Sequence, residues 1–307
     1  MTDQSVRVGE RVLTLRNLEK VLYPTTGTTK AEVLSYYTHV ASAMLPHITG
    51  RPATRKRWPD GVDGPSFFEK NLPNGTPDWV RRVRLPVPGS MRDRETIIYP
   101  LIDDLAALVW VANLAALEVH VPQWLAEPSP EGESAKGTAH APDRLVIDLD
   151  PGAPAGLAEC TEVAFAVRQL LADDGLECFP VTSGGKGMQL YARLGTGDGI
   201  GRAPEDAESV VAQAKSIAET LERRMGSLVV SRMTKSLRPG KVFIDWSQNN
   251  PAKTTIAPYS LRGRGLPTVA APRTWQELEE GGLTQLDHAE VLARVSAEGD
   301  LLAGLLP

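Results

Sequence analysis

RLVIDLD, residues 144–150, is an apolar run that ends in two carboxylates and is stopped at once by Pro151-Gly152. In an extended chain, side chains i and i+2 share a face. Asp148 and Asp150 therefore aim at one place while Leu149 turns into the core. Downstream the pattern is regular. LAECTEVAFAVRQLLADDG (157–175) has the apolar spacing of an amphipathic helix, and ECFPVTS (177–183) and GMQLYARL (187–194) read as strands. A long helix is expected from Pro204 to about Arg224, followed by strands at LVVS (228–231) and KVFIDWS (241–247). Upstream, a helix is expected from Lys30 towards His47, opened by the turn-like TTGTT and closed before Gly50. Another is expected from Asp103 to about Leu117. Strands alternating with helices argue for a mixed α/β, or α+β, core. The segment 126–142, AEPSPEGESAKGTAHAP, is rich in Pro, Gly, Ser and Ala and is expected to be a flexible excursion. Candidate functional residues fall on both sides of it, so residues 1–307 are read as one domain.

The composition is that of a soluble globular chain, with 42% hydrophobic and 23% charged residues. MTDQSVRVGERV is too polar for a signal peptide, and LAALVWVANLAAL (105–117) is too short to span a bilayer. No membrane partner is expected. Cys160 and Cys178 are the only cysteines and lack zinc-ligand spacing, which points to a reducing cytoplasm and no zinc. The net charge of −5 argues, taken alone, against a nucleic-acid partner, but its distribution argues for one. From Leu228 to Thr274 the basic residues are Arg232, Lys235, Arg238, Lys241, Lys253, Arg262, Arg264 and Arg273, and the only acid is Asp245. Such polarity lets one face hold a polyanion.

Two like charges as close as Asp148 and Asp150 are costly unless a cation or shared proton offsets them. Hard oxygen ligands suit Mg²⁺ or Mn²⁺. Asp245, flanked by Ile244 and Trp246 that should pack on the opposite face, either pairs with a cation or completes a set able to hold two metal ions. A strand-end D-x-D also fits a haloacid-dehalogenase-type phosphatase, which expects Thr or Val where Gly152 stands, or a D-x-D glycosyltransferase. Neither accounts for an acid inside a basic tract. Ser183-Gly184-Gly185-Lys186-Gly187 lies between two strands, and its glycines permit an anion nest to which Lys186 adds a charge. The bland alternative is a tight hairpin with an exposed lysine. Arg55-Lys56-Arg57-Trp58 is a basic cluster in which alternation puts Lys56 opposite its neighbours, and Leu261-Arg262-Gly263-Arg264 is another. Such runs are either solvated surface or nucleic-acid contacts. Phe67-Phe68 is read as a loop pair, with burial of at least one ring as the bland expectation and base stacking as the functional one.

With DLDP, SGGKG and IDWSQ in this order, the chain resembles the bacterial branch of the archaeo-eukaryotic primase superfamily, and within it the polymerase domain of ligase D from non-homologous end joining. The likeness runs through NLEKVLYPTTGTTK, RPATRKRWP, FFEK, ALEVHVPQW, MTKSLRPGKVFIDWSQN, TTIAPYSLRGR and PRTW. It implies a primase-type core of antiparallel and mixed sheets flanked by helices. By the resemblance, Asp148, Asp150 and Asp245 are the metal-binding, catalytic carboxylates, and Ser183, Lys186 and Gly187 the triphosphate loop. Lys56, Arg57, His120, Gln248 and Arg262 surround the nucleotide. Asn17, Lys20 and Lys30 grip a downstream 5′-phosphate, Phe67 and Phe68 stack on the template, and Arg238 positions the primer end. The implied activity is templated addition of nucleoside triphosphates, preferably ribonucleotides, at short gaps, using Mn²⁺ or Mg²⁺ and no organic cofactor. A separate ligase or a Ku-type protein is the implied partner and the nucleoid the implied location. The alternative is a non-catalytic module that bridges gaps or ends. Gln189 stands where the superfamily carries a phosphate-contacting histidine, which weakens the case for de novo priming. No ligase or nuclease sequence is present among these residues, so the chain is either an excised domain or a stand-alone paralogue working with a separate ligase, and the paralogue is the expectation.

Overall fold

The structure, a computed structural model, describes residues 3–87, 95–195 and 206–307. The strand expected at 144–150 runs from Arg144 to Pro151 and lies inside a six-stranded sheet. The sheet order is Val229–Val230, Val242–Ile244, Arg144–Pro151, Met188–Arg193, Cys178–Thr182 and Ala271–Pro272. All neighbours are antiparallel except the first two, which are parallel. Leu145, Ile147 and Leu149 point to one face and pack with α3 (Leu157–Asp173) and α4 (Ala207–Arg224). Val146 points to the other, against Val181, Tyr191 and Ile256. The period of two thus puts Asp148 and Asp150 on the face away from these helices. α3 buries Cys160, Val163, Ala164, Val167 and Leu171, a single stripe. Asp206 caps α4 by accepting from Ser209 N–H, and the expected start of that helix at Pro204 lies outside the described residues.

A second, four-stranded antiparallel sheet has the order Thr255–Ile256, Ala116–Val121, Thr54–Arg57, Phe67–Glu69. One of its faces is covered by α1 (Lys30–Ile48) and α2 (Leu105–Asn113), with Leu117, Val119 and Val121 in the same core as Tyr36 and Tyr37. α1 opens on a reciprocal cap: Glu32 N–H donates to Thr29 Oγ1, and Thr29 N–H to Glu32 Oε2. α2 ends sooner than its apolar run implies. Ala115, at φ 56°, turns the chain out of the helix, and Ala116 already belongs to a strand. A stretch apolar on every side has no periodicity to mark that junction.

Three further expectations are corrected. The segment 126–142 is not wholly an excursion, since Trp124–Glu127 pairs with Thr138–Pro142 in a hairpin. Phe67 and Phe68 lie on an edge strand rather than in a loop, and both rings are exposed, at 45% and 60%. The strand before Asp245 stops at Ile244, and Asp245 caps the short 3-10 turn Trp246–Asn249 by accepting from Ser247 N–H at 3.2 Å. Ile244 and Trp246 pack towards the α3 and α4 core as expected. α5 (Trp275–Glu280) packs Leu278 and Trp275 into the α3 and α4 core, α6 (His288–Glu298) packs Val291 into the α1 core, and Asp300 accepts from His47 and Tyr259.

Candidate active site

The free faces of the two sheets border a cleft of about 350 Å³. Asp148 and Asp150 enter it from the six-stranded sheet, and His120 from the four-stranded one. Asp245 is brought to the pair by the main chain: its N–H donates to Asp148 O at 2.9 Å, and Leu149 lies in register with Ile244. The result is three carboxylates, each offering an oxygen within 4.8 Å of the others. Burial, then the charges of Asp150 and Asp245, drives the Asp148 carboxyl well above the usual range. Burial and Asp245 raise Asp150 too, with Arg238, Arg262 and Arg264 opposing. Three hard oxygen donors whose mutual repulsion a cation would relieve fit a divalent-metal site. Asp245 is oriented by Gln248, whose Nε2 donates to Oδ2 at 3.0 Å, and by the hydroxyl of Ser247; Lys253 Nζ lies 3.8 Å from Oδ2.

Ser183, Gly185, Lys186, Gln189, Arg238, Gln248, Arg262 and Arg264 complete most of the lining. The 183–187 loop is the tight turn of the hairpin between Cys178–Thr182 and Met188–Arg193. Three of its backbone N–H groups are engaged within the protein: Ser183 N–H donates to Gly187 O, Gly184 N–H to Gln285 Oε1, and Gly185 N–H to Ser183 Oγ. The Lys186 and Ser183 side chains both line the cleft. Gly187 has a packing reason to lack a side chain, since a Cβ there would lie 1.9 Å from Leu149 O on the aspartate strand. Gln189 Oε1 accepts from Tyr191 Oη at 2.9 Å. Arg238 reaches the cleft with its guanidinium 3.7 Å above the Phe243 ring and donates to Met233 O.

Not every expected residue joins this cleft. Lys56 stands beside it, its Nζ 4.7 Å from the Trp58 ring centroid and 5.2 Å from that of Phe68, whose ring meets His120 edge-on at 5.5 Å. Arg57, expected near the nucleotide, lines a different cavity, because neighbouring residues of a strand point to opposite faces. It pairs with Glu69 at 3.2 Å and donates to Leu114 O at 2.8 Å. That second cavity, of about 510 Å³, also contains Asn17, Lys20 and Lys30, with Arg16 and an apolar wall that includes Trp79 and Trp110. Lys30 is buried, and its Nζ donates to Arg16 O at 2.7 Å. Burial, followed by the charges of Lys20, Arg16 and Arg57, pulls its ammonium down to about 8. Lys20 pairs with Asp60 at 2.8 Å. An anion in this cavity would relieve the mutual repulsion of these cations.

Sequence reading named Arg264 only as part of a basic cluster and passed over Glu118. Glu118 is buried behind His120, and the one available signal was the E-x-H alternation in ALEVHVPQW, which puts both side chains on one face.

Comparison with known proteins follows the same lines. The family model described as LigD, primase-polymerase domain, matches residues 29–302. The chain is 54% identical over 298 residues to the multifunctional non-homologous end joining DNA repair protein LigD of Mycobacterium tuberculosis, covering 96% of this chain and 37% of that protein. It is 31% identical over 290 residues to the bifunctional non-homologous end joining protein LigD of Bacillus subtilis, covering 94% of this chain and 43% of that one. The chain thus spans well under half the length of these relatives. The polymerase domain from Mycobacterium tuberculosis ligase D in complex with DNA superposes with a TM-score of 0.88 at 53% identity, covering 96% of this chain and 99% of that one. No helix among the described residues is long and apolar enough to cross a membrane.

Proposed function

The chain belongs to the LigD primase-polymerase domain family, and on that premise we propose that it is a templated nucleotidyltransferase of DNA break repair. It adds nucleotides, preferably ribonucleotides, to a primer 3′ end at short gaps bearing a 5′-phosphate. The observation that carries this reading is the three-carboxylate cluster at a cleft whose lining also includes Lys186, Arg238, Arg262 and Arg264. Mn²⁺ or Mg²⁺ held by Asp148, Asp150 and Asp245 would supply activation of the primer hydroxyl and neutralise charge on the leaving pyrophosphate.

The chain's own groups do the rest. Lys186 and Arg262 hold the triphosphate by charge, with Ser183 as a hydroxyl donor and Gly187 keeping the loop against the aspartate strand. Gln248 keeps the Asp245 carboxylate aimed at the cleft. Arg238 steadies the primer end. Phe67 and Phe68, exposed on the edge strand, are platforms for template bases. Lys20, Lys30 and Asn17 take the downstream 5′-phosphate in the second cavity, with Arg16 and Arg57 adding charge. Residues 1–307 act as one unit in this reading, in the cytoplasm at the nucleoid, with a DNA ligase and a Ku-type protein as partners.

Primer extension on a gapped duplex with Mn²⁺ and each nucleotide type tests it. Extension templated by the gap, and faster with ribonucleotides, is expected. Duplex binding without extension would instead assign a bridging role with vestigial acids.

A further inference from the structure

The cleft wall contributed by the four-stranded sheet is organised round one buried acid. Glu118 is 3% exposed and shares a strand face with His120. Its Oε2 lies 2.8 Å from His120 Nε2. Its Oε1 accepts from Gly263 N–H at 3.1 Å and lies 3.6 Å from Arg262 Nε. Gly263 lies close against Trp58, since a Cβ there would come within 2.1 Å of the ring. One carboxylate thus ties a strand of the sheet to the loop that delivers Arg262.

We propose that Glu118 is a positioning residue of the nucleotide side of the cleft, fixing His120 as its Nε2–H tautomer and seating the Arg262-Gly263 segment. The proposal rests on the reading of this cleft as a nucleotide site. An ionised carboxylate can only accept, so the proton between the two residues belongs to His120 Nε2. Burial works against the charge on Glu118, yet the hydrogen bond from His120, the charges of Arg262 and His120, and the Gly263 N–H hold its carboxyl down at about 2. Burial likewise pushes the His120 imidazolium below its ordinary value, in spite of Glu118, and Arg262 and Lys56 push the same way. The ring is therefore neutral, and Nδ1 is left as a bare acceptor. Such a nitrogen takes a hydrogen-bond donor from the ligand and disfavours a phosphate oxygen. Phosphate recognition on this side falls to Arg262, held by the same carboxylate.

Nitrogen NMR of the protein carrying ¹⁵N-histidine at neutral pH reads the tautomer directly, with His120 among the five histidines assigned by its loss in His120→Gln. A protonated Nε2 and a bare Nδ1 are expected; a proton on Nδ1 overturns the proposal without recourse to any Glu118 variant. Calorimetric titration with ATP and Mn²⁺ then compares the wild type with Glu118→Gln, which keeps the size and removes the charge. Binding should weaken by about tenfold, as for a lost hydrogen bond to a charged group, and the His120 signals should show a mixture of tautomers. Unchanged ATP affinity together with an unchanged tautomer in the variant sinks the role of Glu118. A wild type that binds no ATP but shows the expected tautomer would refute the nucleotide reading and leave the Glu118–His120 assignment standing.

Discussion

Replacing Asp148 by Asn removes one charge from a site in which three carboxylates hold oxygens within 4.8 Å of one another. At that separation two like unit charges repel by roughly 3 kcal/mol in an effective dielectric of about 20. Asp148 faces two such neighbours, and Arg262 offsets part of the repulsion. The wild-type carboxyl also escapes part of it by binding a proton, since its affinity for one is raised. A net relief of about 1–2 kcal/mol is what remains for Asn to contribute. In a chain of this size each kcal/mol moves the melting temperature by roughly 1.5 °C. In EDTA, Asp148→Asn should therefore melt about 1.5–3 °C above the wild type. Mn²⁺ should reverse that order. A metal at a hundred times its Kd stabilises by about 2.7 kcal/mol, a gain open to the wild type and denied to a variant that lacks a ligand. Differential scanning calorimetry across a Mn²⁺ titration, with primer extension run alongside, gives the readings. A variant that melts below the wild type in EDTA, or that gains as much from Mn²⁺, refutes the reasoning; so does one that still extends primers.

Three other outcomes are expected. Because burial and neighbouring cations lower Lys30 to about 8, preference for a gap bearing a 5′-phosphate over one bearing a 5′-hydroxyl should fall as pH rises through that value, read by fluorescence anisotropy; a constant preference would show that Lys30 does not hold the phosphate. The sign for folding is opposite, since the buried ammonium is penalised and stability of the free protein should rise from about 8 towards the ordinary lysine value of 10.5. Phe67→Ala with Phe68→Ala should leave the melting temperature nearly unchanged, as both rings are exposed, while weakening single-stranded template binding by about 1–3 kcal/mol per stacked base; equal affinity removes the stacking role. Gly187→Ala, whose Cβ would lie 1.9 Å from Leu149 O, should cost about 2 kcal/mol or more by forcing the loop off the aspartate strand, seen as a shifted denaturant midpoint at constant m-value.

How much of this was legible in the sequence depends on the range of the signal. Asp148 and Asp150 were legible because a period of two is local and a proline-glycine stop is unambiguous. α1 was legible to within a residue because the TTGTT turn that opens it and Gly50 beyond its end are local signals. The end of α2 was not, because its run is apolar all round and the break depends on one residue, Ala115, adopting a left-handed conformation that tertiary packing imposes. Arg57 was assigned to the wrong cavity because a resemblance matched residue by residue carries no face, whereas strand alternation does. Glu118 was passed over because a carboxylate in an apolar strand acquires its meaning from Gly263 and Arg262, far along the chain.

The same distinction between local and distant information resolves the conflict over charge. The total of −5 counts every acid equally, although many lie far from either cavity, as on α4 to α6. Polyanion binding responds to the field inside a cavity, where low-dielectric walls concentrate it. Among the described residues, the larger cavity has Arg16, Lys20, Lys30 and Arg57 in its lining and no acid. The carboxylate cleft has Lys186, Arg238, Arg262 and Arg264, and the acids in its lining are Asp148 and Asp150. Were a divalent cation to neutralise that pair, as the proposed function requires, the charged side chains left in both linings would be cations, which is the sign a polyanion needs.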